Sequence, residues 1–255
     1  MIQSALEVTY GTELFKGLIV GDYGTGKSVF AASFPTPGFV FDFDKGIITY
    51  GKENCGGDWN YAQYPLTPLG WVEFEKDLNI VENSVKNGEY KTVVVDSTSL
   101  MSTLAMEKSL QLDPKRSPTG GPLWNVHFGM VRNLVEGKLR KMLNWKCNFL
   151  ILSHLEVVTD KETGAVIKIQ PLLPGALSDL LPGYFDEVYV ASVLMELNAP
   201  HYKIQTATRG HYKARSRASG KEGRLPMYLD HTNLNGYETL MKALKDGKLK
   251  KPGVK

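Results

Sequence analysis

The sequence predicts an α/β fold: a mostly parallel central sheet with flanking helices and a β-hairpin region towards the C-terminus. Two observations carry that prediction. Short apolar runs of the buried-strand kind alternate with helix-type periodicities through roughly the first 150 residues. The first of those runs passes through Gly21-Asp22-Tyr23-Gly24-Thr25-Gly26-Lys27-Ser28 into a helix-compatible stretch, Val29 to Ser33. That octapeptide satisfies G-x-x-x-x-G-K-[ST] in the strand-then-helix context the motif requires.

In chain order, Leu18-Ile19-Val20 is a short apolar strand ending at Gly21, and Gly38-Phe39-Val40-Phe41-Asp42-Phe43 is a second ending at Asp44. Trp71, Phe74, Leu78, Val81 and Val85 recur at steps of 3, 4, 3 and 4, with Thr67-Pro68 ahead and Gly88 behind. They mark one amphipathic helix with its start and stop signals. Thr92-Val93-Val94-Val95 is a third strand and ends in Asp96. The stretch Asp113 to Pro122 has turn formers and two bases in place of any periodicity, so a mobile loop is expected. Phe128, Val131, Val135, Leu139 and Met142 form the apolar side of a second helix whose other side carries Arg132, Glu136 and Arg140. Asn148 to Leu152 is a fourth strand, running into Ser153-His154. Glu156 to Leu173 alternates apolar and polar residues around Asp160-Lys161-Glu162-Thr163-Gly164, the pattern of a hairpin with a protruding tip. One core over residues 1–240 and a Lys-rich tail over 241–255 complete the expected organisation.

With 255 residues, 42% hydrophobic and 22% charged, the chain is long and apolar enough to bury a sizeable core, which excludes disordered and collagen-like classes. Cys55 and Cys147 stand alone, without a CxxC pair, so neither a zinc site nor a disulfide framework is expected and a reducing, cytoplasmic compartment is. No stretch approaches eighteen uncharged apolar residues, so no membrane association is expected. The net charge of +3 is unevenly placed. From His201 to Lys255 there are thirteen Lys/Arg and four Asp/Glu, +9, against −6 for the first two hundred residues. That split fits either a polyanion-facing C-terminal part or a solvated tail.

The chemistry-bearing residues gather at strand ends, where open α/β sheets bind ligands. Gly21, Asp22, Tyr23, Gly24, Thr25, Gly26, Lys27, Ser28 and Val29 form the expected nucleotide site. Small glycines let backbone N–H groups wrap a phosphate, Lys27 reaches the β and γ phosphates of ATP, and the Ser28 hydroxyl binds Mg²⁺. Asp96 is the expected second Mg²⁺ residue, or a cap for the helix that begins near Ser97 to Ser99. Asp44 is the better placed of the two acids on its strand to orient or deprotonate water, or else closes the turn before Gly46. Alternation puts Asp42 on the same side and more buried. His154 either touches the γ-phosphate or completes a strand-end hydrogen bond.

The P-loop, the aromatic-rich strand ending in an acid, Val93-Val94-Val95-Asp96-Ser97, Leu150-Ile151-Leu152-Ser153-His154 followed by a hairpin, and Lys213-Ala214-Arg215-Ser216-Arg217 together resemble the phage nucleotide-binding protein family. That family is a compact version of the RecA-like recombinase core. The resemblance spans roughly Lys16 to Arg217 and rests on the order of these elements. It implies a RecA-like P-loop NTPase core in which Asp44 stands for a catalytic carboxylate that is usually Glu, and His154 for a Gln that couples nucleotide state to the loop after it. Arg215 and Arg217 would stand for a basic pair reaching into the next subunit's ATP site; the alternative is that both bind DNA phosphates.

The function that the resemblance implies is an ATP-dependent, single-stranded-DNA-binding recombination or annealing protein, hydrolysing ATP at subunit interfaces. Its partners would be single-stranded DNA, further copies of the chain in a ring or filament, and a single-strand-binding protein, in the cytoplasm of a bacterial host. Lys115 and Arg116 in the loop, Lys161 and Lys168 in the hairpin and the Lys-rich tail are the expected DNA contacts. A helicase or loader-type motor and a P-loop small-molecule kinase are the competing functions. The late arginines adjoin a basic tail, which suits a polymer better than a metabolite.

Overall fold

The computed structural model describes residues 14–196, 199–217 and 225–246. Strand β1 (Lys16–Gly21) leads through the glycine-rich loop into α1 (Lys27–Ala32), and β2 (Gly38–Asp42) and β3 (Trp59–Gln63) follow. Helix α2 (Pro68–Lys86) joins β3 to β4 (Thr92–Asp96), and α3 (Thr98–Leu112) and α4 (Trp124–Leu143) lead on to β5 (Asn148–Ser153). The hairpin consists of β6 (Leu155–Thr159) and β7 (Val166–Pro171). After a short α5 (Leu177–Leu180) come β8 (Glu187–Glu196), β9 (Ala199–Gln205), β10 (Arg215–Ser216), β11 (Tyr228–Asp230) and α6 (Gly236–Asp246).

Side by side, the central strands run β11-β9-β8-β1-β5-β4-β2-β3, with β10 also on β8. The six from β8 to β3 are parallel, and the antiparallel pairs lie at the β8 edge and beyond it. Successive strand residues face opposite sides. Leu18, Val20, Phe41, Val93, Val95 and Ile151 therefore join a core with Trp71 and Phe74 of α2, Leu104 of α3 and Val131 and Leu139 of α4. Ile19, Val40, Val94, Leu150 and Leu152 join Phe30 of α1, Leu229 of β11 and Leu240 of α6 on the other face. Both faces are covered, which is why these strands are continuously apolar in sequence rather than alternating.

The four expected strands and two expected helices are all present, α2 with Pro68 in its first turn. The hairpin forms a separate two-stranded sheet with Glu156 opposite Gln170. Residues 113–122 are irregular, as expected, but bonded internally: Ser117 accepts from the N–H of Gly120 and Gly121 through its carbonyl and hydroxyl oxygens. The boundary expected after residue 240 falls inside α6, because Leu240 is fully buried and fastens that helix to the core. Lys248, Lys250, Lys251 and Lys255 of the expected tail lie outside the described residues, as do Lys221 and Arg224. Among the described residues no helix is long and apolar enough to cross a membrane.

Candidate active site

Strand order decides which residues meet. Because β5 lies between β1 and β4, the C-terminal ends of β1, β5, β4 and β2 stand in a row. The loops leaving those ends carry Lys27, His154, Asp96 and Asp44.

The glycine-rich loop bends through Gly24 and Gly26, whose φ angles are 71° and 81°, a region that only glycine occupies without strain. At Gly26 close approach is a second requirement, since a Cβ there would lie 2.8 Å from the Tyr202 ring and 3.0 Å from His231. Asp22 ties the loop together, accepting from the Thr25 hydroxyl at its carbonyl (2.8 Å) and from the Tyr23 N–H at its carboxylate (2.8 Å). The Lys27 ammonium turns back into the curve and donates to the carbonyls of Gly21 (2.9 Å) and Asp22 (2.8 Å). Burial holds its pKa below the usual lysine range, against the opposing pull of Asp96, Asp44 and Asp22.

Asp96 is buried, and its Oδ2 accepts from the Ser28 hydroxyl at 2.8 Å and the Tyr50 hydroxyl at 3.2 Å. Ser97, not Asp96, occupies the cap position of α3. Two oxygens, Ser28 Oγ and Asp96 Oδ2, thus converge beside the loop. This hard donor pair suits Mg²⁺, which takes one or two protein oxygens and fills its shell with phosphate and water. Burial lifts the Asp96 carboxyl to about 6; the Ser28 and Tyr50 hydrogen bonds oppose the rise and the neighbouring carboxylates of Asp44 and Asp42 add to it.

An Asp in the unfolded chain titrates near 3.9, so the stability that protonated Asp96 contributes is fully present below that pH and is lost as pH rises through about 6. Asp96→Asn keeps an acceptor for Ser28 and Tyr50 but carries no charge. It is expected to stabilise the Mg²⁺-free protein, seen as a raised melting temperature, by on the order of 2 kcal/mol at pH 8 and by less at pH 5. Thermal melts at the two pH values check this, and an equal effect at both would show that the carboxylate's charge is already compensated.

Asp42 and Asp44 divide the two roles weighed for this strand end. Asp42 closes the turn, accepting from the N–H groups of Gly46 (2.9 Å) and Ile47 (3.1 Å) and from Gln63 Nε2 (2.6 Å). Asp44 instead reaches across β4: its Oδ1 accepts from the Ser97 N–H (3.1 Å) and hydroxyl (2.7 Å), and its Oδ2 lies 2.9 Å from His154 Nε2. Burial pushes the Asp44 carboxyl up, but the bonds from His154 and Ser97 outweigh it and leave the pKa below the usual carboxylate value. His154 is itself buried, with its backbone N–H on the Ser99 hydroxyl (3.0 Å) and its ring stacked on Tyr23 at 4.2 Å between centroids. The glycine-rich loop, Asp44 and the first residue beyond β5 thus form one connected cluster.

Arg215 and Arg217 are not in it. Arg215 pairs with Val188, which pairs with Leu18 on its other side, so the two arginines stand towards the start of the parallel strands and the glycine-rich loop at their end. The Arg215 guanidinium donates to the carbonyls of Pro182 (2.8 Å) and Phe185 (2.5 Å), and Arg217 forms an ion pair with Asp186 at 2.7 Å. Three site contacts were not anticipated: Tyr50, which no motif marks; Ser97, adjacent to a strand-end acid; and the stacking of Tyr23, an aromatic placed in a loop that otherwise favours small residues.

A family model described as an AAA domain matches residues 14–218. No curated protein matches the chain. Among solved structures, a KaiC-like protein from the hyperthermophilic archaeon Pyrococcus horikoshii OT3 is similar at 15% identity, over 89% of this chain and 88% of that one, with a TM-score of 0.42.

Proposed function

The chain belongs to this AAA-domain family and is an ATPase, and from that premise we propose that it binds Mg²⁺ with its nucleotide, binds single-stranded DNA, and assembles into rings or filaments that hydrolyse ATP at subunit boundaries. Its setting in this proposal is recombination or strand annealing of phage type, in the cytoplasm of a bacterial host. Single-stranded DNA, further copies of the chain and a single-strand-binding protein are the proposed partners.

The observation that carries the reading is the position of His154. Its ring bonds Asp44 and stacks on Tyr23 of the glycine-rich loop, and its backbone leads directly into β6 of the hairpin. Its carbonyl also accepts from Leu172 N–H beyond β7 (2.8 Å). A change at the phosphate end of the site therefore has one residue to cross before it reaches both strands of a protruding hairpin, which is a coupling that a small-molecule kinase has no use for.

In the proposed mechanism, incoming phosphate oxygens replace the carbonyls of Gly21 and Asp22 as partners of Lys27. Ser28 and Asp96 would hold Mg²⁺, which would supply positive charge to the phosphates. Asp44 orients the attacking water through its carboxylate. A carboxyl held below its usual pKa is a weak base, so its contribution is mainly alignment, with the proton moving late. Arg215 and Arg217 lie too far along the sheet to serve their own loop and would act on a neighbour's γ-phosphate.

ATP turnover by the purified chain with single-stranded DNA, double-stranded DNA and none tests the reading. Single-stranded DNA is expected to give the fastest turnover. Equal rates in all three conditions would remove DNA from the function and leave the ATPase.

A further inference from the structure

We propose that Trp124, packed at a tilt against Phe128 at the tip of the α3–α4 helical pair, is a platform on which bases of single-stranded nucleic acid stack. The inference rests on the nucleic-acid reading above and supplies a group for the bases, where the contacts named so far are ionic.

Of the four tryptophans, Trp71 and Trp145 are buried and Trp59 is half-buried, whereas Trp124 is 69% exposed. A scattered exposed apolar residue needs no explanation. This one is held in place. Its ring packs on Phe128 at 4.4 Å between centroids. Phe128 in turn faces the turn beyond β7, where a Cβ added at Gly175 would lie 3.8 Å from its ring. The residue before Phe128, His127, is fully buried and pins the helix start: its Nδ1 accepts from Leu123 N–H (2.8 Å), so its Nε2 carries the proton and donates to the carbonyl of Asp113 (2.8 Å). That bond ties the end of α3 to the start of α4. A ring mounted in this way has little freedom left to lose on binding, which favours affinity.

The surroundings identify the occupant. Lys115 and Arg116 are exposed on the connecting loop, and Arg116 is anchored by the carbonyls of Leu110, Asp113 and Lys115 (3.2, 3.2 and 3.0 Å). An aromatic surface on the same inter-helix connection as an anchored guanidinium and an exposed lysine matches a chain that alternates bases with phosphates, and stacking of this kind tolerates any sequence. A protein partner would instead need a contiguous apolar patch around the ring. Along the connection the other exposed large apolar side chain is Leu112, 55% exposed at the end of α3; the remaining exposed residues are prolines and Lys115, Arg116, Thr119, Gly120 and Asn125, so charged, polar and small groups predominate.

The test uses the full chain with Mg²⁺ and ATP and three probes of equal length: an oligothymidylate, an oligouridylate and an abasic oligodeoxynucleotide that keeps the phosphates without the bases. For the parent protein, tryptophan emission is expected to fall on binding the first two and to stay constant on binding the abasic strand; a difference between the first two assigns the natural ligand to DNA or RNA. Trp124→Ala is expected to weaken oligothymidylate binding about tenfold and to leave abasic binding unchanged, while Trp124→Phe retains most of the affinity. If the parent binds oligothymidylate and Trp124→Ala binds it equally well, the platform is refuted and the nucleic-acid reading survives. If the substitution changes the oligomer's size and not the affinity, the ring is a protein contact and the platform is refuted. Failure of the parent to bind any of the three refutes the nucleic-acid reading and the platform together.

Discussion

Lys27→Ala is expected to lower ATP turnover by at least a hundred- to a thousandfold, the loss typical of removing one donor that meets charge developing in a transition state. The fold should survive. Lys27 packs against no core side chain through its ammonium; it donates to two loop carbonyls, Gly21 and Asp22, and burial has already made its charge costly to hold. Removing a buried cation along with its bonds has compensating effects on stability, so the melting temperature is expected to move by only a few degrees. Asp44→Asn provides the contrast. It retains the shape that accepts from Ser97 but loses the carboxylate, so nucleotide binding should persist while turnover falls by about 10²–10⁴. Nucleotide titration and turnover on both variants separate the two roles. Parent-like turnover from Lys27→Ala would overturn the assignment of the glycine-rich loop as the reacting site, and binding lost from Asp44→Asn would show that Asp44 shapes the pocket and does not serve the water.

The sequence made some of this legible and hid the rest for a physical reason. Strand and helix identity is a local property, so the apolar runs at Leu18, Phe39, Val93 and Phe149 and the stripe from Trp71 to Val85 point to the elements that form there. The octapeptide from Gly21 to Ser28 was equally local. Contacts between those elements are not local. His154 meets Asp44 across 110 residues only because β5 inserts between β1 and β4, and no periodicity encodes strand order. The same applies to Tyr50, which comes to Asp96 from a short 3₁₀ turn at Ile47–Tyr50 that has no sequence signal of its own. Alternation on the Phe-Val-Phe-Asp-Phe-Asp run did place Asp42 and Asp44 on one side. It could not say that Gly46 and Ile47 would claim the first and leave the second for Ser97 and His154. Beyond β7 the chain builds the antiparallel edge β8, β9 and β11, where burial is partial and the outer half of β8 is exposed, so its pattern is weaker than that of the parallel strands.

Mixing Lys27→Ala protein with an Arg215→Ala/Arg217→Ala protein is expected to restore ATP turnover that neither shows alone. Each variant lacks a different half of the proposed composite site, and an interface pairing the intact loop of one subunit with the intact arginines of another is complete. A cation supplied to a γ-phosphate in this way is worth about 10³–10⁵ in rate, so even a small fraction of complete interfaces is measurable above the background of either variant. The positions of the arginines make the experiment decisive. Both lie towards the opposite end of the parallel strands from their own glycine-rich loop, so a direct effect on the γ-phosphate has to come from a neighbour. Arg215 also closes the chain around Pro182 and Phe185, so its substitution carries a structural cost that Arg217→Ala, at an exposed ion pair with Asp186, does not. Arg217→Ala alone is therefore the control. If it loses turnover, keeps the parent's melting temperature and is rescued by Lys27→Ala protein, the effect is catalytic and in trans. Subunit exchange is established beforehand with differently tagged chains. If exchange is observed and turnover does not recover, the arginines do not act across a boundary, and salt-dependent DNA affinity of the same variants is the measurement that then assigns them to DNA phosphates.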